Sequence, residues 1–353
     1  MVVERSLTKV ARTASGHALG LKTPTGIPRL TIWHSSEPTA PAPAMFEPKF
    51  YVLLQGEKRL TVGGTSRTFS PGSFAVSTVN LPFTSQVTEA SSHTPYVGVE
   101  IGLDAGVVAS VLLDGPDFGR ESAPAFAAEQ VTDEVLEPVD RLLRLLASPH
   151  DISALAPLFE RELFYRLARG PVGGTLRKAV QSHTRFSQIR TAVEWICGHA
   201  DEPMCVEQLA TSVGMSVTSF HRHFKAVTAY SPLAYQKHIR LLDARERLVS
   251  GTTNVTSIAF ASGYASAPQF SREYKRMFGV SPIQDAGFLR HEPATSFSRD
   301  RTSDNGSMQS PDDGQETTTI AHGQCETQRI IRSATAVGSP SRLLPLLAGR
   351  RIA

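Results

Sequence analysis

The sequence is poor in cysteine and contains no long apolar run. The three cysteines, Cys197, Cys205 and Cys325, are an odd and sparse set that argues against a disulfide framework or a four-ligand zinc site. Because no stretch of about 18 apolar residues occurs, we predict no transmembrane helix. The first residues lack the apolar core of a signal peptide, which argues against secretion. These absences predict a cytoplasmic protein without a membrane partner.

A strong charge of either sign is also missing. The chain carries 36 Lys+Arg against 33 Asp+Glu, a formal net charge of +3, so the overall charge does not identify a partner. Hydrophobic residues make up 41% and charged residues 20%, which is typical of globular proteins. The length of 353 residues predicts two or three domains, each large enough for its own core.

Short apolar segments dominate the first hundred residues. We expect the polar residues 1–25 to be a flexible lead-in. From residue 26, apolar segments alternate with glycine and proline turns, which predicts a β-barrel or β-sandwich. The predicted strands include Phe50–Gln55, Arg59–Val62, Ser73–Thr78 and Tyr96–Leu103. The segment 50–54 has no polar alternation, so we expect it to be buried on both faces.

Helical spacing replaces strand spacing after Asp104. One apolar stripe follows Thr132, a candidate N-cap, and a second runs from Leu155 through Leu158 and Leu163 to Leu167 before Gly170. We therefore assign 26–170 to one domain with a barrel and two helices. The glycine-rich 171–184 is a predicted linker, 185–290 is helical, and the polar tail 291–353 is predicted to be disordered.

The helical region 185–290 contains an internal repeat. SFHRHFK, 219–225, matches QFSREYK, 269–275, at an offset of 50 residues. Upstream, 206–214 matches 255–263 at an offset of 49 residues. The glycine that ends each upstream match can adopt the positive φ of a sharp turn. Each copy therefore predicts a helix, a tight turn and a second helix.

The second helix of each copy has an aromatic face and a polar face. Ser216 and Ser266 are candidate N-caps. Phe220, Phe224, Phe270 and Tyr274 recur at helical spacing, which is typical of core residues. The outward side chains are His221, Arg222 and Lys225 in the first copy, and Gln269, Ser271, Arg272 and Lys275 in the second. Arginine binds guanine and glutamine binds adenine in the major groove, which a recognition helix enters.

A single helix is predicted between the two copies. It spans 232–248, roughly 25 Å at 1.5 Å per residue. A connector of that length can hold two recognition helices about 34 Å, one duplex turn, apart. Residues 181–290 contain 12 Lys/Arg and 8 Asp/Glu, a net charge of +4. This weak electrostatic footprint makes base contacts and dimerisation more important for affinity.

Two stretches of the helical region resemble one family. GYASAPQFSREYKRMFGVSP, 263–282, and YQKHIRLLDARERL, 235–248, are similar to the DNA-binding domain of AraC/XylS bacterial transcription regulators. The N-terminal stretches EPKFYVLLQGEKRLTVGG, 47–64, and LPFTSQVTEASSHTPYVGVEIGLD, 81–104, resemble the cupin-like effector domain of one subgroup. The resemblance covers most of 20–290.

The resemblance implies an α+β multidomain fold. An effector-binding and dimerisation domain, 26–170, combines a cupin-like barrel with two helices, and 185–290 is an all-α double helix-turn-helix. Thr218, His221 and Arg222 would face bases in the first copy, and Gln269, Ser271 and Arg272 in the second. Lys225, Lys275 and Ser266 complete the implied DNA-binding set. Ala267 and Pro268 offer no side-chain donors, so recognition there would be apolar or by shape.

Promoter DNA, a small-molecule effector, RNA polymerase and a second copy of the chain are the implied partners. No enzymatic activity and no cofactor are expected. Activation and repression both remain open, as do the effector and the operator. One alternative is a cupin-type enzyme with an appended nucleic-acid-binding module. Another is an architectural DNA-binding protein without an effector.

Metal ligands are sparse in the predicted barrel. It holds only His34 and His93, far apart in sequence, with Glu57 and Glu100, and it has no His-x-His motif. The enzyme alternative therefore lacks residues for metal chemistry.

Several barrel residues bear on what an effector could be. Lys58 and Arg59 could meet an anionic effector, although a solvated sheet edge is the favoured interpretation. The apolar residues Phe50, Val52 and Leu54 favour a small, largely apolar effector.

Overall fold

A computed structural model describes residues 2–114, 123–181, 184–249 and 254–291. These residues belong to one structural unit. The predicted disordered tail, from residue 292 onward, lies outside the described residues, as does Cys325.

The N-terminal half is built on two antiparallel sheets. Its strands are β1 (Lys22–Pro24), β2 (Leu30–Ser35), β3 (Ala42–Phe46), β4 (Lys49–Gln55), β5 (Glu57–Val62), β6 (Thr65–Phe69), β7 (Ser73–Ser77), β8 (Leu81–Glu89), β9 (Tyr96–Gly102) and β10 (Phe126–Gln130). A six-stranded sheet has the order β1-β2-β9-β4-β7-β10, and a four-stranded sheet has the order β3-β8-β5-β6. The four strands predicted from the sequence are present within a residue or two of their expected bounds.

Helices cover one face of the six-stranded sheet. They are α1 (Val2–Gly16), α2 (Ala105–Asp114), α3 (Asp133–Leu145), α4 (Ile152–Arg169) and α5 (Gly173–Val180), with a short 3-10 helix at Pro149–Asp151. The leucine stripe of α3, including Leu142 and Leu143, is buried in the core that this layer shares with the sheet. On α4, Leu163 and Leu167 join the same core, whereas Leu155 and Leu158 are exposed.

Strand β4 is buried on both faces, as its unbroken apolar sequence predicts. Phe50, Val52 and Leu54 belong to the core under the helices, while Tyr51 and Leu53 face the four-stranded sheet. Side chains alternate across a strand, so one apolar run fills two cores. Phe50, Val52 and Leu54, which we expected to favour an apolar effector, therefore pack under the helices and not between the two sheets.

The expected lead-in and linker are both partly helical. In α1, Leu7, Val10 and Ala14 repeat at helical spacing and are buried against the helical layer. In the predicted linker, Leu176 of α5 is completely buried. Both short stretches have low apolar content, but burying a few spaced side chains on an existing core is enough to stabilise a helix.

In the described part of the C-terminal half, helices alternate with short loops. It contains α6 (Arg185–Gly198), α7 (Val206–Ser212), α8 (Val217–Thr228), α9 (Pro232–Val249), α10 (Val255–Ala261), α11 (Ala267–Phe278) and α12 (Pro282–His291). Two separate apolar cores lie within it. Tyr235 and Ile239 of α9 belong to the first core, and Leu241, Ala244 and Leu248 belong to the second. One connector helix therefore contributes to both repeat units.

The residue that ends α8 differs from the residue at the equivalent position after α11. Ala229 adopts a left-handed backbone conformation with a φ of 66°, where the second copy has Gly279 with a φ of 78°. We expect Ala229→Gly to raise the free energy of unfolding by roughly 0.5–1 kcal/mol. Relief of about 1–2 kcal/mol of Cβ strain is partly offset by the greater freedom of glycine in the unfolded chain.

Calorimetry of both copies tests this expectation. Gly279→Ala is the matched control, and we expect it to lower the melting temperature. A lower melting temperature for Ala229→Gly would contradict the proposed strain.

Candidate nucleic-acid interface and barrel interior

Each repeat copy has the local geometry of a helix-turn-helix. Gly214 and Gly263 occupy the turns with φ values of 70° and 75°. Ser216 caps α8 by accepting a hydrogen bond from the Ser219 N–H at 3.4 Å, and Ser266 caps α11 by accepting one from the Gln269 N–H at 3.4 Å. The predicted turns and caps are confirmed.

Buried aromatic side chains fix which face of each second helix points outward. Phe220 and Phe224 are completely buried in the first core, and Phe270 and Tyr274 in the second. Since residues one turn apart share a helix face, the opposite faces of α8 and α11 must point to solvent.

The structure leaves most of the predicted DNA-binding side chains on those outward faces. The exposed residues are Thr218, His221, Arg222, Lys225, Gln269, Arg272 and Lys275, whereas Ser266 and Ser271 are half-buried. The Ser266 hydroxyl accepts the capping hydrogen bond and still has its own hydrogen to donate.

The cationic side chains of this set are not neutralised within the chain. Among the described residues, no carboxylate lies within 4 Å of Arg222, Lys225, Arg272 or Lys275. Four cations without an internal counter-charge can neutralise backbone phosphates or bind base edges.

Buried and partly buried polar contacts hold the second recognition helix to its neighbours. The Tyr274 hydroxyl donates to Asp285 of α12, and Arg245 of α9 pairs with the same carboxylate at 2.9 Å. Glu273 accepts from Lys237 of α9 at 2.9 Å and from the Tyr264 hydroxyl at 3.1 Å. Helix α11 is therefore fixed to α9 on two sides.

Arg240 on the connector helix α9 links the two repeat units. Its guanidinium donates to the Gly263 carbonyl at 3.0 Å, in the second turn, and to the Glu202 carbonyl at 2.8 Å, after α6. It also donates to the Ala200 carbonyl. These hydrogen bonds add polar constraints to the shared helix and hold the two units in one arrangement.

The barrel touches the helix-turn-helix region, a contact that the sequence did not reveal. The Gly63 N–H, in the turn between β5 and β6, donates to the Tyr230 hydroxyl at 3.2 Å. The Tyr235 hydroxyl donates to the Asn80 carbonyl at 2.9 Å, and the Asn80 amide donates to the Cys197 sulfur at 3.6 Å. A cleft of about 240 Å³ lies beside these contacts, lined by Phe83 of β8 and by residues of α9 and α11.

Inside the barrel, Lys58 lies between the two sheets. It is only 8% exposed, whereas its neighbour Arg59 is exposed. Burial lowers the pKa of Lys58 to about 8, and Glu100 opposes this effect. The expectation of a solvated edge holds for Arg59 and is wrong for Lys58. Strand alternation could have predicted the burial of Lys58, because residues two apart on a strand share a face and Leu60 is buried.

The candidate metal ligands are not gathered into a site. Within the described residues, no group of three or more histidine, cysteine or acidic residues could hold a metal ion. Glu100 pairs with Lys49 at 2.9 Å, and Glu57 accepts from the Thr88 hydroxyl at 2.6 Å.

None of the helices in the described ranges is long and apolar enough to cross a bilayer.

A barrel domain joined to two helix-turn-helix units defines a class of DNA-binding proteins. Comparisons with known families give the same result. Residues 26–175 match the AraC-type transcriptional regulator N-terminus, and residues 209–286 match a helix-turn-helix domain. The chain thus combines the N-terminal domain of AraC-type transcriptional regulators with a helix-turn-helix domain.

Curated relatives are similar over part of their length. The probable thc operon regulatory protein of Rhodococcus erythropolis is 37% identical over 100 residues, which cover 28% of this chain and 30% of that protein. The transcriptional activator RhaS of Citrobacter koseri is 26% identical over 155 residues, 43% of this chain and 55% of that protein. The chain thus spans between about a third and about half of the length of these relatives.

Solved structures of ToxT from Vibrio cholerae share the fold. The form bound to an unsaturated fatty acid has a TM-score of 0.50 and 13% identity, and covers 73% of this chain and 94% of ToxT. The form bound to (E)-4-(8-methylnaphthalen-1-yl)but-3-enoic acid has a TM-score of 0.51 and 14% identity, and covers 74% of this chain and 98% of ToxT.

Proposed function

We propose that this chain binds specific promoter DNA through α8 and α11 and regulates transcription in response to a small molecule bound by the barrel. The observation that carries the proposal is the doubled helix-turn-helix with its uncompensated outward cations. The barrel contact with both repeat units and the connector supports a link between effector and DNA.

Each recognition helix has base-reading and phosphate-binding side chains in this proposal. Thr218, His221 and Arg222 of α8 meet base edges, and so do Gln269, Ser271 and Arg272 of α11. Lys225 and Lys275 lie one turn further along and bind phosphate. Ser266 caps α11 and donates its hydroxyl hydrogen to a phosphate. Exposure on one face of each helix supports these roles.

The same proposal assigns a separate role to each domain of the chain. Residues 26–170 form the effector-binding and dimerisation domain, with α1 as part of it, and 185–290 form the DNA-binding domain. Leu155 and Leu158, exposed one turn apart on α4, support a homodimer, which sedimentation velocity measures directly. RNA polymerase is a further proposed partner of this promoter-bound regulator.

A protein that shares the fold supports effector binding by the barrel. ToxT, which shares the fold, holds an unsaturated fatty acid in one structure. We propose by analogy that the barrel of this chain also takes a small organic molecule.

DNase footprinting after genomic selection of bound fragments tests the DNA-binding proposal. We expect protection of two adjacent major-groove segments about one duplex turn apart. Uniform binding to all fragments, without protected segments, would instead favour an architectural DNA-binding protein.

The turn between β5 and β6 is the proposed contact through which the barrel influences α8. Gly63 and Gly64 both have positive φ, 56° and 85°, so alanine strains the backbone at either position. Only at Gly63 would the new Cβ collide, at 2.3 Å from the Cβ of Ala229, since nothing lies within 4 Å at Gly64. We therefore expect Gly63→Ala to lift the turn from the end of α8.

Hydrogen exchange in the matched pair of variants measures this separation. We expect faster amide exchange around Tyr230 and Asn80 in Gly63→Ala than in the wild type, with little change there in Gly64→Ala. Equal effects of the two variants would show that backbone strain alone is responsible, and the contact would lose its proposed role.

A further inference from the structure

Lys58 is a buried cation in the space between the two sheets. Its strand, β5, alternates between buried and more exposed side chains, and Lys58 and Leu60 point inward while Arg59 points to solvent. The ammonium group is therefore held in the interior by the pleat of the strand. Since long charged side chains are almost never fully buried without a partner, its surroundings need an explanation.

Aromatic side chains surround the ammonium group. Its nitrogen lies 4.6 Å from the ring centroid of Tyr51 and 5.7 Å from those of Trp33 and Tyr96. It donates to the Tyr96 hydroxyl at 3.2 Å, and the Tyr51 and Tyr96 hydroxyls are 2.9 Å apart. We call Trp33, Tyr51, Lys58 and Tyr96 the Lys58 cage.

The cage has no internal counter-anion. Among the described residues, no carboxylate lies within 4 Å of the Lys58 nitrogen. Glu100, which acts on Lys58 electrostatically, is paired with Lys49 at 2.9 Å. An ammonium group has three donor hydrogens. Because Lys58 uses one of them in its hydrogen bond to the Tyr96 hydroxyl, two can still bind a ligand. Ring faces attract a cation but compensate its desolvation less well than an anion does.

The cage lies near the end of the barrel. Lys58 is the second residue of β5, Tyr96 is the first residue of β9, and Tyr96 pairs with Ser35, the last residue of β2. The turn at Gly56 packs directly on Tyr96, because a Cβ there would lie 2.9 Å from the Tyr96 Cα. The cage therefore lies close to the strand ends, where the turn at Gly56 covers it.

We propose that the Lys58 cage binds the carboxylate of a small, largely apolar acid, which is the effector of the barrel. This inference rests on the proposed function, in which the barrel is an effector domain. The carboxylate accepts from the ammonium group and from one cage hydroxyl, because the hydrogen bond between the Tyr51 and Tyr96 hydroxyls uses the hydrogen of the other. The apolar part of the acid packs against buried neighbours such as Leu53, Leu60 and Phe69.

The single charge of the cage selects a monoanion. A carboxylate and one ammonium group neutralise each other, whereas a phosphate dianion would leave a buried charge uncompensated at high cost. A neutral ligand would leave the ammonium group as it is in the free protein. The structure thus favours a carboxylic acid over a phosphate ester or a neutral compound.

Calorimetric titration of the full chain tests the proposal with defined probes. The probes are octanoate, 4-phenylbutyrate and 1-naphthylacetate, each paired with its carboxamide. We expect at least one acid to bind at least roughly tenfold more tightly than its amide, as a charge-assisted hydrogen bond requires. Lys58→Met should weaken binding of that acid by at least roughly tenfold.

Two further variants control for folding and for net charge. Arg59→Met removes the neighbouring cation from the solvent face of the same strand and should leave the affinity unchanged. Tyr96→Phe keeps the ring but removes one hydroxyl, and it should weaken acid binding severalfold. Equal affinity for acid and amide, or an unchanged affinity in Lys58→Met, would overturn the proposal, as would a failure of all three acids to bind at about 1 mM.

Footprinting of the same preparation separates this inference from the proposed function. A protein that protects specific DNA but binds none of the acids refutes the cage and leaves DNA recognition intact. A protein that binds an acid through Lys58 but gives no footprint supports the cage and contradicts the proposed function.

Discussion

Replacing Arg272 by alanine is expected to weaken specific DNA binding by about 1–3 kcal/mol, a loss of roughly 5- to 150-fold. The guanidinium is exposed on the outward face of α11 and has no carboxylate within 4 Å among the described residues. Tyr274 and Phe270 anchor the opposite face, so the substitution leaves the fold unchanged. Arginine binds guanine through two hydrogen bonds, and preference at one base pair should relax.

Lys275→Ala gives the contrasting result on the same helix. A lost phosphate contact weakens binding to all sequences by a similar factor. It also reduces the slope of log affinity against log salt concentration by about 1, because one fewer counterion is released. Arg59→Ala, in the barrel, is the control for a change in net charge alone. Fluorescence anisotropy at several salt concentrations measures all three variants. If Arg272→Ala kept the wild-type base preference, its assignment as a base-reading residue would be wrong.

Lys58→Met is expected to stabilise the ligand-free barrel near neutral pH. Desolvation lowers the pKa of Lys58 from its ordinary value of 10.5 to about 8, so the folded state binds this proton more weakly than the unfolded chain does. That difference corresponds to about 3 kcal/mol of destabilisation when both states are protonated. Methionine has a similar shape and no charge to desolvate, so it relieves this cost.

The effect has a defined pH dependence. The penalty is fully present below pH 8, decreases as pH rises from about 8 to 10.5, and is absent above that range. Wild-type stability should therefore rise with pH relative to Lys58→Met. The other titratable groups that act on Lys58 or its cage are Tyr51, Tyr96, Glu100 and Lys49. They are present in both proteins, so the difference between the two isolates Lys58.

Scanning calorimetry across this pH range measures the difference. At pH 7 we expect Lys58→Met to melt roughly 5–10 °C above the wild type. Arg59→Met, on the solvent face, should melt close to the wild type at every pH. A Lys58→Met protein that is less stable at pH 7 would mean that the cage compensates the buried charge by itself, without an anionic ligand.

The double helix-turn-helix was predictable in detail. The repeat at offsets of 49 and 50 residues identified both units, and glycine and serine at fixed positions located the turns and the N-caps. These features depend on contacts within a few residues, so they can be read from spacing alone. The same local rules located strands such as β4 and predicted that it is buried on both faces.

The barrel interior was predictable only in part. Alternation along β5 placed Lys58 beside Leu60, yet a lysine and an arginine in sequence suggested a solvated edge. Whether a lysine is buried depends on Trp33, Tyr51 and Tyr96 from other strands. Helix α1 was missed for a related reason, since its few apolar residues are stabilised by a core made of distant segments.

Local sequence patterns were sufficient to identify the family, the repeated helices and the outward cations, because each depends on residues that are neighbours along the chain. The aromatic surroundings of Lys58, the Gly63 contact with Tyr230 and the bridging hydrogen bonds of Arg240 follow from the folded arrangement. These contacts join residues that are tens to more than a hundred positions apart. Their geometry depends on how sheets and helices pack, which no short stretch of sequence specifies.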